Sequence, residues 1–237
     1  MRDSLNDPKV SIVIPARNEE KTLGDVLSSV FSQDYPRDKL EVIVVDDCST
    51  DSTPEIATRF PTNYIRNQSP LGLAGSLNRG IDESSSSDII LTLHADCVPQ
   101  AMSWLRHMVT PFSDPTTGIV TSFLVLPVEK IPYPSRYFCY IYLAGWFDQP
   151  ASGELERRFQ QISFAGNKCD AYRVDVLRKI GKFDMAFRVA NEDIDVSEKV
   201  NRLGYKILLC YQALTAHTLS SHQNTIKSHF RKALWGW

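Results

Sequence analysis

Carboxylates stand directly behind apolar runs in this chain. Val42, Ile43, Val44 and Val45 lead straight into Asp46 and Asp47, and Ile89 to Leu93 lead into His94, Ala95 and Asp96. A run rich in β-branched residues reads as a strand buried on both faces, the habit of a parallel sheet. Charge at its end sits where the strand leaves the core, and in open α/β sheets ligands bind at that carboxyl edge. Acids there suit a metal ion, a ribose hydroxyl or the N–H of a base, and they do not suit a bare phosphate. A further acid pair, Glu192 and Asp193, opens a helical pattern, and His217 follows the last strand. Pro15, Ala16, Arg17, Asn18 and Glu19 join the first strand to a helix start. Backbone N–H groups point outward at such a start and favour anions or hydrogen-bonding ligands.

The elements that must hold these groups follow from periodicity. Residues 10–14 form a short strand ended by Pro15, and residues 19–33 form a helix on the spacing of Leu23, Leu27, Val30 and Phe31. Residues 42–45 are the second strand. Ser49 or Asp51 caps the next helix, with Pro54 in its first turn. Residues 64–65 are a weak third strand, 72–83 a helix behind a Gly-rich loop, and 88–93 a fourth buried strand. This alternation over residues 10–113 predicts an α/β fold with a parallel, doubly wound sheet. The rhythm then breaks. Residues 118–126 read as a strand, 174–180 and 192–203 as helices with Gly181 and Gly204 behind them, and 205–210 as the final strand.

Bulk properties narrow the classes. With 237 residues, 43% hydrophobic and 23% charged, the chain reads as one globular domain. A net charge of −2 argues against nucleic acid as a partner. Five scattered cysteines without Cys-x-x-Cys fit reduced thiols in a cytosolic compartment. The first residues lack the apolar core of a secretion signal, and no stretch approaches the roughly 20 apolar residues of a membrane span. Residues 131–147 are unusually aromatic and read either as core and groove wall or as a surface lying on a membrane. Near the C-terminus Lys227, Arg231 and Lys232 mix with Phe230, Leu234, Trp235 and Trp237, the make-up of an interfacial amphipathic helix.

Taken together, the motifs resemble the family 2 glycosyltransferases, which have the GT-A fold. The matching segments are 10–20 (VSIVIPARNEE), 44–53 (VVDDCSTDST), 72–80 (GLAGSLNRG), 91–99 (LTLHADCVP), 165–173 (AGNKCDAYR), 181–184 (GKFD) and 191–193 (NED), followed by His217. They keep the family's order and spacing across about 200 residues. The resemblance implies a single domain, Rossmann-like and mostly parallel. Residues 1–113 form the nucleotide-binding half and 114–217 the acceptor and catalytic half, with 218–237 as the amphipathic tail. Related enzymes continue into transmembrane helices at this point, and the sequence reads as stopping short of them.

The implied activity is transfer of a hexose, with inversion, from a UDP- or GDP-sugar to a hydroxyl of a lipid-linked or growing glycan at the cytoplasmic face of a membrane. By the resemblance, Pro15, Ala16, Arg17 and Glu19 shape the base and ribose pocket, and Asp47 bonds the base or ribose. Gly72, Gly75 and Asn78 line the same pocket, with His94, Ala95 and Asp96 closing it. Asp96 and His217 would bind one divalent cation, Mn2+ or Mg2+, both of which take oxygen ligands readily. His94 stands where the family's motif begins with Asp, and either faces the ribose or tilts the site toward Mn2+. Leu73 stands where many relatives have Lys. Asp193 would be the general base, Glu192 would hold the acceptor or orient its neighbour, and Gly166 and Asn167 would contact the acceptor.

Plainer readings accompany several of these. Asp46 serves as a turn cap as readily as a ligand, and acids in a helix's first turn are favoured by its dipole alone. Asp195 and Glu198 read as a solvated face. Competing functions are a polyprenyl-phosphate hexosyltransferase and a non-catalytic nucleotide-sugar-binding module. A NAD-dependent oxidoreductase is excluded because the first strand is followed by Pro-Ala-Arg-Asn-Glu and not by Gly-x-Gly-x-x-Gly.

Overall fold

The structure, a computed structural model, describes residues 7–84, 86–125, 158–166, 168–187 and 191–218. Asn167, the aromatic stretch 131–147 and residues 219–237 of the tail lie outside the described residues. The first half runs β1 (Val10–Ala16), α1 (Leu23–Phe31), β2 (Leu40–Asp46), α2 (Thr53–Thr58), β3 (Asn63–Arg66), α3 (Gly72–Glu83) and β4 (Ile89–Leu93). The second half adds β5 (Cys97–Pro99), α4 (Trp104–Val109), β6 (Thr117–Val125), β7 (Phe159–Ile162), β8 (Cys169–Arg173), α5 (Val174–Lys179), α6 (Glu192–Arg202) and β9 (Lys206–His217). No helix among the described residues is long and apolar enough to cross a membrane.

The strands form one nine-stranded sheet in the order β3-β2-β1-β4-β8-β6-β9-β5, with β7 on β9. Strands β1 to β4 are parallel, as the alternation predicts. The second half is mixed, because β8 enters antiparallel between β4 and β6. Successive residues of a strand face opposite sides of the sheet. Ile12, Ile14, Val42, Val44 and Leu91 therefore pack with α1 and α4, while Val13, Ile43, Val45 and Ile90 pack with α3, α5 and α6. Burial on both faces is why these strands read as unbroken apolar runs.

Pro15 does not end the first strand. The ladder to β4 stops at Val13 opposite Thr92, whereas the ladder to β2 runs on to Ala16 opposite Asp46. Proline has no N–H to donate, and it sits where only one neighbour remains. Helix α1 begins at Leu23, later than residue 19; a turn in which Thr22 N and Leu23 N bond Glu19 O leads into it. Glu19 N bonds Thr53 Oγ1 at 2.8 Å and Glu20 N bonds Asp51 Oδ2 at 3.1 Å. Strand β9 runs on past Cys210 to His217 by way of a register shift against β6, which carries its end across to β5.

Gly80 is the closest approach of α3 to the sheet: a Cβ there would lie 2.3 Å from Val13 Cγ1 and 3.1 Å from Val45 Cγ2. Both neighbours are short, β-branched and buried, so neither swings away. Gly80→Ala is expected to destabilise the domain by about 1–3 kcal/mol despite alanine's better helix propensity. Thermal unfolding checks this, and an unchanged or higher midpoint contradicts the close packing.

Candidate active site

The site begins where β2 ends. Asp46 is fully buried and accepts hydrogen bonds from Ser49 N (2.8 Å), Tyr64 Oη (2.7 Å) and Arg66 Nη1 (2.9 Å). It ties the strand to β3 and turns the chain, so the turn-cap reading describes it. Asp47 accepts from Asn67 Nδ2 (2.7 Å), Leu71 N (2.7 Å) and Gly72 N (3.0 Å). The first N–H groups of a helix have no partner inside it. Asp47 supplies one from another strand, and so fixes where α3 starts. Gly72 helps by adopting φ +74, a left-handed conformation that costs glycine little.

The loop behind β1 is sewn to the loop behind β2. Asn18, itself left-handed at φ 57, donates its N–H to Ser49 Oγ (3.0 Å) and accepts Thr50 N on Oδ1 (2.8 Å). Together with the Thr53 and Asp51 bonds, these contacts explain the run Ser49, Thr50, Asp51 and Thr53: it stitches the loops and does not face the site. Between the loops lies a cleft of about 230 Å3. Pro15, Ala16, Arg17 and Glu19 line it from the first loop and Asp47 from the second. Gly72, Leu73 and Ser76 line it from α3, and His94, Ala95 and Asp96 from the turn between β4 and β5. Arg17 stands 3.9 Å from Asp47.

At one end Asp96 Oδ2 lies 3.1 Å from His217 Nε2, with both residues buried. With Asp96 ionised, the imidazole N–H donates to it. Burial alone would raise the Asp96 carboxyl, but His217, Lys168 and His94 outweigh it and hold the group below the usual carboxylate range. Cys97 Sγ lies 3.6 Å from Asp96 Oδ1, and the three ligand atoms fall within 4.8 Å of one another. Burial, then the charge of Asp96, pushes the Cys97 thiol well up, so in the absence of a cation it is a neutral S–H donor. The Asp96 oxygen and the His217 nitrogen suit Mn2+ or Mg2+ better than a soft sulfur does. Their 3.1 Å separation matches adjacent ligands on one cation, which bonds of about 2.1 Å place about 3 Å apart.

Helix α6 brings the second acid pair. Its N-cap, Asn191, is left-handed at φ 79. Glu192 is buried, and Asp193 is half-buried with Oδ1 accepting Ile194 N at 2.9 Å. Burial raises the Asp193 carboxyl, opposed by backbone N–H groups and by the charge of Lys168. Burial likewise raises Glu19, opposed first by the Thr22 hydroxyl. Asp195 and Glu198 pair with Lys199 and Arg202 along the helix, as a solvated face does.

The cleft thus gathers most of the residues that the motifs single out, and leaves some aside. Asn78 is out of it: Nδ2 donates to Phe183 O (2.7 Å) and Oδ1 accepts Phe183 N (3.0 Å), which ties α3 to the loop behind α5. Gly75 is a packing glycine, its Cβ direction closed by Leu71 at 2.7 Å. Glu192, Asp193 and Gly166 stand outside the cleft lining. Gly166 follows Ala165, whose N–H bonds Ser197 Oγ on α6 at 3.0 Å. Ser76, inside the motif 72–80, bonds Asn67 and lines the cleft. The sequence reading gave no role to Cys97 and Lys168, although both lie inside the quoted motifs.

A family model described as "Glycosyl transferase family 2" matches residues 11–181. Glycosyltransferase AglE of Haloferax volcanii is 28% identical over 229 residues, covering 94% of this chain and 71% of that protein. The O-antigen chain rhamnosyltransferase RfbN of Salmonella typhimurium is 25% identical over 228 residues, covering 94% and 70%. The chain spans about half the length of several further curated relatives. The solved structure of mannosyltransferase PcManGT from Pyrobaculum calidifontis, in complex with GDP-Man and Mn2+, superposes with a TM-score of 0.71. It is 22% identical, and the match covers 98% of this chain and 66% of that one, so the two share their fold. This chain therefore belongs to glycosyltransferase family 2: it is a glycosyltransferase with the GT-A fold.

Proposed function

We propose that the domain transfers a hexose, with inversion and with the help of one divalent cation, from a UDP- or GDP-sugar to a hydroxyl of a lipid-linked or growing glycan. The observation that carries this reading is the buried Asp96–His217 pair at one end of a cleft lined by Pro15, Arg17, Glu19 and Asp47. The base and ribose lie along those residues. The diphosphate lies toward Asp96, with His94 on the sugar side of the ribose. Solved structures with this fold support such donors, since PcManGT is in complex with GDP-Man and Mn2+ and TarS with UDP-GlcNAc.

Asp193 takes the proton of the acceptor hydroxyl as its oxygen attacks the anomeric carbon from the face opposite the diphosphate. The bond to the diphosphate breaks and its electron pair leaves with the phosphate oxygen. A bound cation at Asp96 and His217 supplies charge that offsets this oxygen. Glu192, buried one residue before the base, holds the first turn of α6 and the acceptor. A hydroxyl needs a base where an anionic phosphate does not, which favours a hydroxyl acceptor. The basic and aromatic residues of 227–237 would hold the enzyme at the cytoplasmic face of a membrane.

Asp193→Asn is expected to bind donor as the wild type does while turnover falls at least roughly 100-fold. Calorimetry and steady-state rates check this, and undiminished turnover removes Asp193 from the role. The base acts ionised and burial raises its carboxyl, so activity should climb with pH through that raised value. The acid limb should then lie above the ordinary aspartate value of about 4, and a rate already flat there speaks against it.

Asp96→Ala should abolish Mn2+-dependent binding of nucleoside diphosphate, as should chelation of the cation; retained dependence on Mn2+ moves the metal elsewhere. Deleting residues 226–237 should reduce sedimentation with anionic liposomes, and equal sedimentation defeats the membrane reading.

A further inference from the structure

The cleft is poor in positive charge for a site that would hold a diphosphate. Glu19, Asp47 and Asp96 line it, and among the described residues the one lysine or arginine in its lining is Arg17, turned toward Asp47 at the base end. A second cation stands just beyond. Lys168 stands just before β8, and its backbone is fixed there: its carbonyl accepts His94 N at 2.9 Å, and Cys169 pairs with Leu93. That sets the lysine beside the turn carrying His94 and Asp96. Its ammonium is within electrostatic reach of Glu19 behind β1, Asp96 behind β4 and Asp193 on α6. Among the described residues no salt bridge commits it to any of the three. A half-buried lysine beside this turn, whose charge acids of three segments feel, is placed to meet an anion arriving there.

We propose that Lys168 is the protein's own cationic contact for the donor's diphosphate, a role that no motif of the sequence assigns to it. The proposal rests on the nucleotide-sugar reading above. Lysine is a compact point charge with rotatable donors, suited to a phosphate that changes charge during reaction. As the bond from the anomeric carbon to the phosphate oxygen breaks, the electron pair stays on the diphosphate. Lys168 donates hydrogen bonds to a non-bridging oxygen and keeps its protons, while the acceptor's proton goes to Asp193. The ammonium thus serves the leaving group without joining the proton transfer.

The test uses the full chain with Mn2+ and compares wild type with Lys168→Met, Lys168→Gln and Lys168→Arg. UDP and GDP binding is measured by calorimetry, and uridine and guanosine binding by competition. The neutral variants should weaken the bound diphosphate roughly tenfold or more, leave its parent nucleoside within about twofold, and keep the thermal midpoint. Lys168→Arg should recover most of the loss. Equal weakening of nucleoside and diphosphate would overturn the proposal, because it marks a structural role. So would unchanged diphosphate binding with only a displaced pH profile, because Lys168 then acts on Asp193 alone. Both results leave the wild type binding its diphosphate and the transferase reading intact. A wild type that binds neither diphosphate overturns that reading, and this proposal with it.

Discussion

Two adjacent carboxylates at the end of β2 hold the site together. Neighbouring strand residues point to opposite sides, so Asp46 and Asp47 reach different partners. Asp46 gathers β3 and the turn behind β2 through Ser49, Tyr64 and Arg66. Asp47 reaches Asn67 and the opening N–H groups of α3. Arg66 also reaches Ser49 O and Asn67 also reaches Ser76, so the acids bind groups that are already part of a wider network. The wall formed by Gly72, Leu73 and Ser76 exists where it does because Asp47 pins the helix start. An acid that reads as a ligand in the sequence is first of all a scaffold, and meets the cleft with what capacity remains beside Arg17.

Electrostatics then divides the cleft into ends. Arg17 and Asp47 face one another at one, and Asp96 and His217 at the other. Burial raises Glu19 and Asp193, while His217, Lys168 and His94 keep Asp96 ionised. Carboxylates that differ this way are suited to different work: the ionised one to a cation, the raised one to a proton. Asp96 stands in the β4–β5 turn and Asp193 at the start of α6, so the two differ in segment as well as in environment.

Much of the fold was legible. The helix over 72–83 has the bounds that the Gly-rich loop and periodicity predict, and Gly181 and Gly204 are left-handed behind their helices at φ +87 and +81. Buried parallel strands announce themselves as apolar runs because both faces meet helices. What escaped was short or borrowed. Strands β5 and β7 are too brief to show a period, and β8 carries the buried Asp170 in its middle. Asn78 belongs to the motif by position, yet its carboxamide is spent on Phe183, which lies 105 residues away in sequence.

The sequence by itself determined which chemistry is present: acids where buried strands end, an acid pair opening a helix, and a histidine close to the last strand, in the order of a known family. Side-chain type and local period set these, and neither needs the rest of the chain. Only the tertiary structure decided who stands beside whom. The register shift in β9 delivers His217 opposite Cys97 and against Asp96. The antiparallel entry of β8 sets Lys168 beside His94, within reach of acids from three segments. Those neighbours come from distant parts of the chain, and strand register, which is fixed by packing on both faces of the sheet, brings them together.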